Sequence, residues 1–312
     1  MRVILTGSGG FLGSNVLSEL LSVGAKVVTV RKDEYDLRQF RCARRLLNEN
    51  PCDVVIHLAG IVGGIGANSQ APADFFHANM AMGLNIIEAC RLRGVRKFVT
   101  VGTVCSYPAD CPTPFKETDL WNGYPEPTNA PYGIAKRALL TMCQAYRKQY
   151  GMNAIYLIPV NLYGPGDHDD AEKSHVIPAL VKKFVTAKRR RATSVVLWGT
   201  GTPSREFLYV KDAAQGIITA MMKYDGAEPV NLGTGIEITI AALADRIKAL
   251  VGYEGEIVFD KSKPDGQRRR CLDTSRARES FGWSAMTPLD EGLKRTVEAA
   301  MADKPKLEAY EI

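Results

Sequence analysis

The sequence predicts an α/β fold in which a doubly wound parallel sheet carries a smaller α/β lobe. Short apolar runs alternate with longer amphipathic ones through the first 160 residues, and a glycine-rich turn separates the first such pair. After Pro159 the pattern loosens into segments punctuated by Gly, Pro and Asp. Strands buried on both faces read as continuous apolar runs, whereas the helices that cover them repeat every 3.6 residues.

In order, Val3-Ile4-Leu5 reads as the first strand, 11–22 as a helix, Val27 to Val30 as a strand, 38–48 as a helix and Val54-Val55-Ile56 as a strand. A helix over 73–93, a strand from Phe98 to Val101, a helix over 130–150 and a strand from Ile155 to Ile158 complete a domain spanning 1–164. Residues 165–312 form the smaller lobe, opening on the Gly- and Asp-rich stretch Gly164 to Lys173 and broken by Pro/Gly signals at 199–203, 226–229 and 264–266. Helices are predicted near 175–188, 211–223, 239–251 and 288–301. Pro229 to Leu232 reads as a short strand, and the segment near 211–234 is expected to return to the first domain.

A chain of 312 residues can bury a sufficient core without disulfides or metal. Hydrophobic residues at 46% and charged residues at 24% exclude a disordered or collagen-like chain. Apolar stretches stop short of the ~18 residues a bilayer span needs, so no membrane partner is expected. The 40 basic and 34 acidic residues leave a net charge of +6 spread along the chain. That balance fits anionic small molecules and argues against nucleic acid. The 7 cysteines lack C-x-x-C spacing, which fits reduced thiols and no metal site. Met1 leads within two residues into a strand-like run with no charged leader, so a cytoplasmic protein is expected. Two dense charge runs stand out, Lys188 to Arg191 and Arg268 to Arg270, and the first reads as a solvated helix end.

Gly7-Ser8-Gly9-Gly10-Phe11-Leu12-Gly13 lies between the first strand and the first helix. Glycine at 7 permits a tight turn, at 10 it lets backbone N–H groups approach a diphosphate, and at 13 it lets helix and strand pack closely. This marks a Rossmann-type dinucleotide site. Arg31 and Lys32 follow Val30 at the end of the second strand, where a basic residue would accept a 2′-phosphate and an acidic one would bind the ribose hydroxyl. NADP(H) is therefore expected over NAD(H), although Asp33 and Glu34 mix the charge signal.

Tyr132 and Lys136 stand at i and i+4 of one predicted helix, hence on one face. That spacing lets the ammonium stabilise a tyrosinate, lower its pKa and reach the cofactor ribose. Thr103, just past the strand that ends at Val101, offers a hydroxyl to a carbonyl or alkoxide. A noncatalytic NADP-binding protein would be expected to lack Tyr132 or Lys136, and both are present.

With Val62 to Asn68, Asn122-Gly123, Pro127 to Asn129, Asn161 to Pro165, Ser174 to Leu180, Trp198 to Gly201, Arg205 to Leu208 and Ser262 to Gly266, the sequence resembles the extended short-chain dehydrogenase/reductases that act on nucleotide sugars. The resemblance covers nearly the whole chain. It implies 3,5-epimerisation and NADPH-dependent 4-reduction of GDP-4-keto-6-deoxy-D-mannose; another NDP-sugar 4-ketoreductase or epimerase of the same fold is the alternative. It also implies that Gly7 to Gly13, Leu58, Ala59, Gly60, Val101, Gly102, Thr103, Val104, Pro159, Val160, Asn161, Leu162 and His175 line the cofactor. Thr103, Tyr132 and Lys136 match the reductase triad, and Cys105 and His175 match the epimerisation pair. Cys105, Asn161, Lys183, Trp198, Arg205 and Asp265 match substrate-contacting positions. Thr103 stands where serine is common, Lys183 where arginine is common. The resemblance further suggests a homodimer formed through the helices near 73–93 and 130–150.

Overall fold

The computed structural model describes residues 1–167, 175–263 and 265–303. Residues 168–173, Ser174 and Pro264, which belong to stretches quoted above, lie outside the described residues. The first part runs β1 (Arg2–Thr6), α1 (Phe11–Ser22), β2 (Lys26–Val30), α2 (Phe40–Glu49), β3 (Val54–His57), α3 (Ile65–Gln70), α4 (Pro72–Arg93), β4 (Lys97–Val101), α5 (Ala130–Tyr150) and β5 (Ala154–Pro159). It continues with β6 (Asn161–Tyr163), α6 (Val176–Arg189), β7 (Ser194–Trp198), β8 (Ser204–Tyr209), α7 (Val210–Lys223), β9 (Val230–Leu232), β10 (Glu237–Thr239), α8 (Ile240–Val251), β11 (Glu256–Asp260), β12 (Arg269–Arg270), α9 (Ser275–Phe281) and α10 (Leu289–Ala302).

Six strands form one parallel sheet in the order β2-β1-β3-β4-β5-β9. Every residue of β3, β4 and β5 is buried, as the continuous apolar runs require of strands covered on both faces. Helices α2, α4 and α5 pack together along the sheet, and α1 packs with α7. The strand order reverses between β1 and β3, which opens a crevice at the carboxyl ends of the strands. No helix among the described residues is long and apolar enough to cross a membrane.

A second hydrophobic core, with Phe184, Leu243, Ile247 and Val297, joins α6, α8 and α10. Here β8 pairs with β6 and β12 in parallel and with β10 in antiparallel, while β7 pairs with β11. The chain then crosses back: α7 packs on α1, and β9 pairs with β5 from Leu157 to Pro159. Fully buried Glu206 pins the crossing, accepting the backbone N–H groups of Thr234, of Gly235 at 2.8 Å and of Leu272 at 2.6 Å. Three donors on one carboxylate offset much of the cost of burying it.

Candidate active site

The glycine turn closes by contact between backbones. Gly7 has φ +73°, and a Cβ there would lie 2.7 Å from the Ala59 nitrogen. A Cβ at Gly13 would lie 1.9 Å from the Gly7 carbonyl oxygen, so α1 sits directly on the turn. Gly10 caps α1 without a side-chain hydrogen bond, no acidic residue occupies the first helical turn, and the space beside Gly9 is open. These N–H groups and the helix dipole suit the diphosphate of a dinucleotide. Leu58 and Ala59 are held against the turn by Leu58 N–H to Thr6 O at 3.2 Å and Ala59 N–H to Thr6 Oγ1 at 3.1 Å. His57 Nδ1 lies 2.8 Å from the same hydroxyl, and burial pushes this imidazole down to about 3, so it stays neutral.

At the end of β2 the Arg31 guanidinium is bidentate to Asp33, with Nε at 3.1 Å and Nη2 at 2.6 Å. Both side chains are exposed, and the pair lies in water-screened surroundings. Beside it is a cavity of about 490 Å³ lined by Asp33, Glu34, Asp36, Arg41 and Arg45 among others. In sequence Arg31 and Lys32 mark this end, whereas the cavity is also lined by Arg41 and Arg45. Their signal is a basic pair at i, i+4 on α2, the first helix after β2.

Past β4, Thr103 Oγ1 accepts the Cys105 N–H at 3.2 Å and caps the short 3₁₀ turn Val104–Ser106. That turn rests on α5 where the helix carries no side chain: a Cβ at Gly133 would come 2.5 Å from the Cys105 carbonyl oxygen. Ser106 Oγ donates to Gly133 O at 3.1 Å, and Arg137 ties Ser106 O and Gly123 O to the helix. The turn that carries Cys105 is thus held against α5 at Gly133, the residue after Tyr132. Lys136 Nζ lies 5.9 Å from the Tyr132 ring centroid and donates to Val101 O at 3.1 Å. Gly102 is obligatory beside it, since a Cβ there would lie 2.4 Å from the Tyr156 hydroxyl, which donates to Lys136 O at 2.8 Å.

The expected lowering of the Tyr132 pKa by Lys136 is not what this packing gives. Burial pushes the phenol upward, the neighbouring Cys105 adds to this, and the Thr103 hydrogen bond opposes it. Such a phenol keeps its proton at neutral pH, as a proton donor must. Burial also pushes the Lys136 ammonium down to about 8.

The remaining expected residues lie from the end of β5 onward. Val160 N–H donates to Leu232 O at 3.0 Å, and Asn161 Nδ2 donates to Glu206 O at 2.9 Å, which fixes the path from Pro159 to Leu162. His175 is the N-cap of α6, its Nδ1 3.4 Å from both oxygens of buried Asp167, and that carboxylate raises its pKa against the opposing effect of burial. Lys183 Nζ donates to Val196 O at 2.9 Å. Trp198 is 68% exposed, with Lys263 Nζ 5.7 Å from its ring. Asp265 accepts the N–H of Thr200 at 2.6 Å and its hydroxyl at 2.8 Å. Burial, with Arg270 adding to it, pushes Arg205 down to about 10 against the opposing effect of Cys105 and Asp265. Arg205 and Cys105 are therefore electrostatic neighbours. Arg270, with Nη1 3.7 Å from Cys105 Sγ, joins them and was not singled out from the sequence.

A helix N-terminus built for a diphosphate, faced by a Tyr132–Lys136 pair and a Thr103 hydroxyl, defines a nicotinamide-dependent oxidoreductase of the short-chain type. The chain belongs to the NAD dependent epimerase/dehydratase family, whose model matches residues 3–233. It is 46% identical over 298 residues to a probable GDP-L-fucose synthase 1 of Oryza sativa subsp. japonica, covering 95% of this chain and 90% of the relative. Among solved structures it is similar to a GDP-6-OMe-4-keto-L-xylo-heptose reductase from C. jejuni, with a TM-score of 0.91 at 30% identity over 97% of this chain and 98% of the other. It is also similar to a GDP-L-fucose synthetase from Naegleria fowleri bound to NADP, with a TM-score of 0.88 at 28% identity over 97% and 95%.

Proposed function

We infer that the chain converts GDP-4-keto-6-deoxy-D-mannose to GDP-L-fucose, by epimerisation at C3 and C5 followed by reduction at C4. The observation that carries this is the turn of Cys105 packed directly on Gly133, the residue after Tyr132. A ketoreductase needs only Tyr132, Lys136 and Thr103; a thiol against them adds a base for C–H bonds next to the ketone.

The C4 ketone acidifies the hydrogens on C3 and C5. Cys105 removes a proton from one face and His175, whose imidazolium Asp167 favours, returns one to the other, so each centre inverts through an enolate. Tyr132 and Thr103 donate hydrogen bonds to O4 as charge collects there. Gly7 to Gly13 would hold NADPH, which would supply the hydride for C4. Tyr132 gives its proton to O4, and Lys136 stabilises the anion left on the ring while holding the cofactor ribose. Lys183, Trp198, Arg205 and Asp265 grip the GDP moiety, so that binding energy far from the hexose positions it for reaction.

NADP(H) is the cofactor, with Arg31, Lys32, Arg41 and Arg45 at its 2′-phosphate end. The protein works in the cytoplasm, in keeping with seven free cysteines. It pairs as a homodimer through α4 and α5, where Phe76 and Tyr124 are exposed around an apolar concavity of about 360 Å³.

Incubation with NADPH and GDP-4-keto-6-deoxymannose in D2O, with NMR of the product, tests the reading. The expected product is GDP-L-fucose carrying deuterium at C3 and C5, and Cys105→Ser or His175→Gln should abolish that uptake. Reduction without deuterium uptake would favour a plain 4-ketoreductase, the reaction named for the C. jejuni structure.

A further inference from the structure

The Arg268 to Arg270 run has a partner that its sequence context does not announce. In the parallel pairing of β12 with β8, Arg270 stands opposite Arg205. Like charges set opposite each other on paired strands repel, and a neighbouring anion relieves the repulsion. The group that Arg270 reaches is a thiol: its Nη1 lies 3.7 Å from Cys105 Sγ. Its orientation is fixed, because Nε donates to Gln267 Oε1 at 3.1 Å and Gln267 Nε2 donates to Ala109 O at 2.9 Å, just past the Cys105 turn. Among the described residues, Arg270 from β12 reaches the Cys105 sulfur, Arg205 from β8 stands opposite Arg270, and Tyr132 on α5 precedes the Gly133 on which the Cys105 turn rests. One guanidinium thus touches the sulfur, and a second stands across the strand pair from it.

We propose that Arg270 is the positioning residue for the epimerisation base, its guanidinium set against the Cys105 sulfur before substrate arrives. This rests on Cys105 being that base. In the step itself the thiolate takes a proton from C3 or C5 and becomes a thiol, while the C–H electron pair enters the enolate with its charge on O4. A fixed cation at the sulfur favours the state that accepts the proton. The rival role for Arg270 is to grip the diphosphate of the substrate, and it differs in what the substrate-free enzyme does.

The test is the rate of Cys105 alkylation by iodoacetamide across pH, without substrate, read by peptide mass spectrometry. Arg270→Gln should slow alkylation at pH 7 about ten-fold. Arg270→Lys, which keeps a cation, should recover most of the rate. Burial pushes Cys111, Cys143 and Cys271 up to about 12, so their peptides serve as unreactive controls. The NADPH Kd of each variant reports folding. If Arg270→Gln does not bind NADPH, Arg270→Lys carries the test with a smaller slowing.

An Arg270→Gln profile superimposed on wild type, with only the KM for the GDP-sugar raised, would overturn the proposal in favour of diphosphate binding. Cys105→Ser separates the two layers. If that variant still takes up solvent deuterium, the base has been misassigned whatever Arg270 does. If it does not, and Arg270→Gln alkylates normally, only the role of Arg270 falls.

Discussion

Gly133 lies directly against Cys105, so close that a Cβ would meet the Cys105 carbonyl oxygen at 2.5 Å. The helix that carries Tyr132 and the turn that carries the thiol therefore touch backbone to backbone. Gly133→Ala must push them apart, and overpacking of this kind costs about 1–3 kcal/mol. Thermal unfolding should register the loss. Deuterium uptake at C3 and C5 should fall about ten-fold or more while NADPH still binds, because α1 and the glycine turn are untouched.

Tyr132→Phe removes the proton donor to O4 but no charge from the cofactor site. Single-turnover oxidation of NADPH, followed by absorbance, should slow by about 10²–10⁴-fold. The NADPH Kd should stay within about two-fold of wild type. Wild-type turnover in this variant would mean that O4 is protonated by another group.

Asp167 raises the His175 pKa, since a carboxylate 3.4 Å from Nδ1 favours the imidazolium. The sign follows from linkage: the benefit is complete below the ordinary histidine pKa and is lost as pH rises through the higher folded value. Asp167→Asn should therefore bring the His175 titration toward lower pH in an NMR experiment. If His175 acts as the acid, the alkaline limb of the epimerisation rate should move the same way.

Arg31 meets Asp33 through both arms of its guanidinium in an exposed pair, an interaction that is weak in water. A 2′-phosphate offers more charge and more acceptors, so it competes well for the same donors. Arg31→Ala should raise the Kd for NADPH about ten-fold, and leave that for NADH nearly unchanged. An equal loss for both cofactors would place the phosphate grip elsewhere, with Arg41 and Arg45 the next residues to change.

The first sheet and the cofactor turn were legible because β1, β3, β4 and β5 are largely apolar, buried runs that alternate with helices, and because Gly7 and Gly13 answer to local geometry. Tyr132 and Lys136 were legible for the same reason, as their relation is one turn of helix. The strands around β8 were not. β6 and β10 have three residues each and β12 has two, too few for an alternation to show. Their pairings with β8 join distant parts of the chain. Arg270 was invisible as a site residue for that reason: its neighbours Arg205 and Cys105 are set by strand pairing, and in sequence it is one cation in a run of three. The direction of the Tyr132 shift escaped because spacing reports a neighbouring charge but not how much water burial removes.

The return of the chain from the second lobe bears on how the protein can be cut and recombined. β9 closes the open edge of β5, and α7 covers α1, yet both lie downstream of β6, α6, β7 and β8. A fragment ending at Gly164 would carry the glycine turn and Tyr132 but leave the Leu157–Pro159 edge bare. Bare edges of apolar strands recruit other chains, so such a fragment should aggregate. Exchange of substrate lobes between relatives consequently requires grafting two separate inserts around α7 and β9.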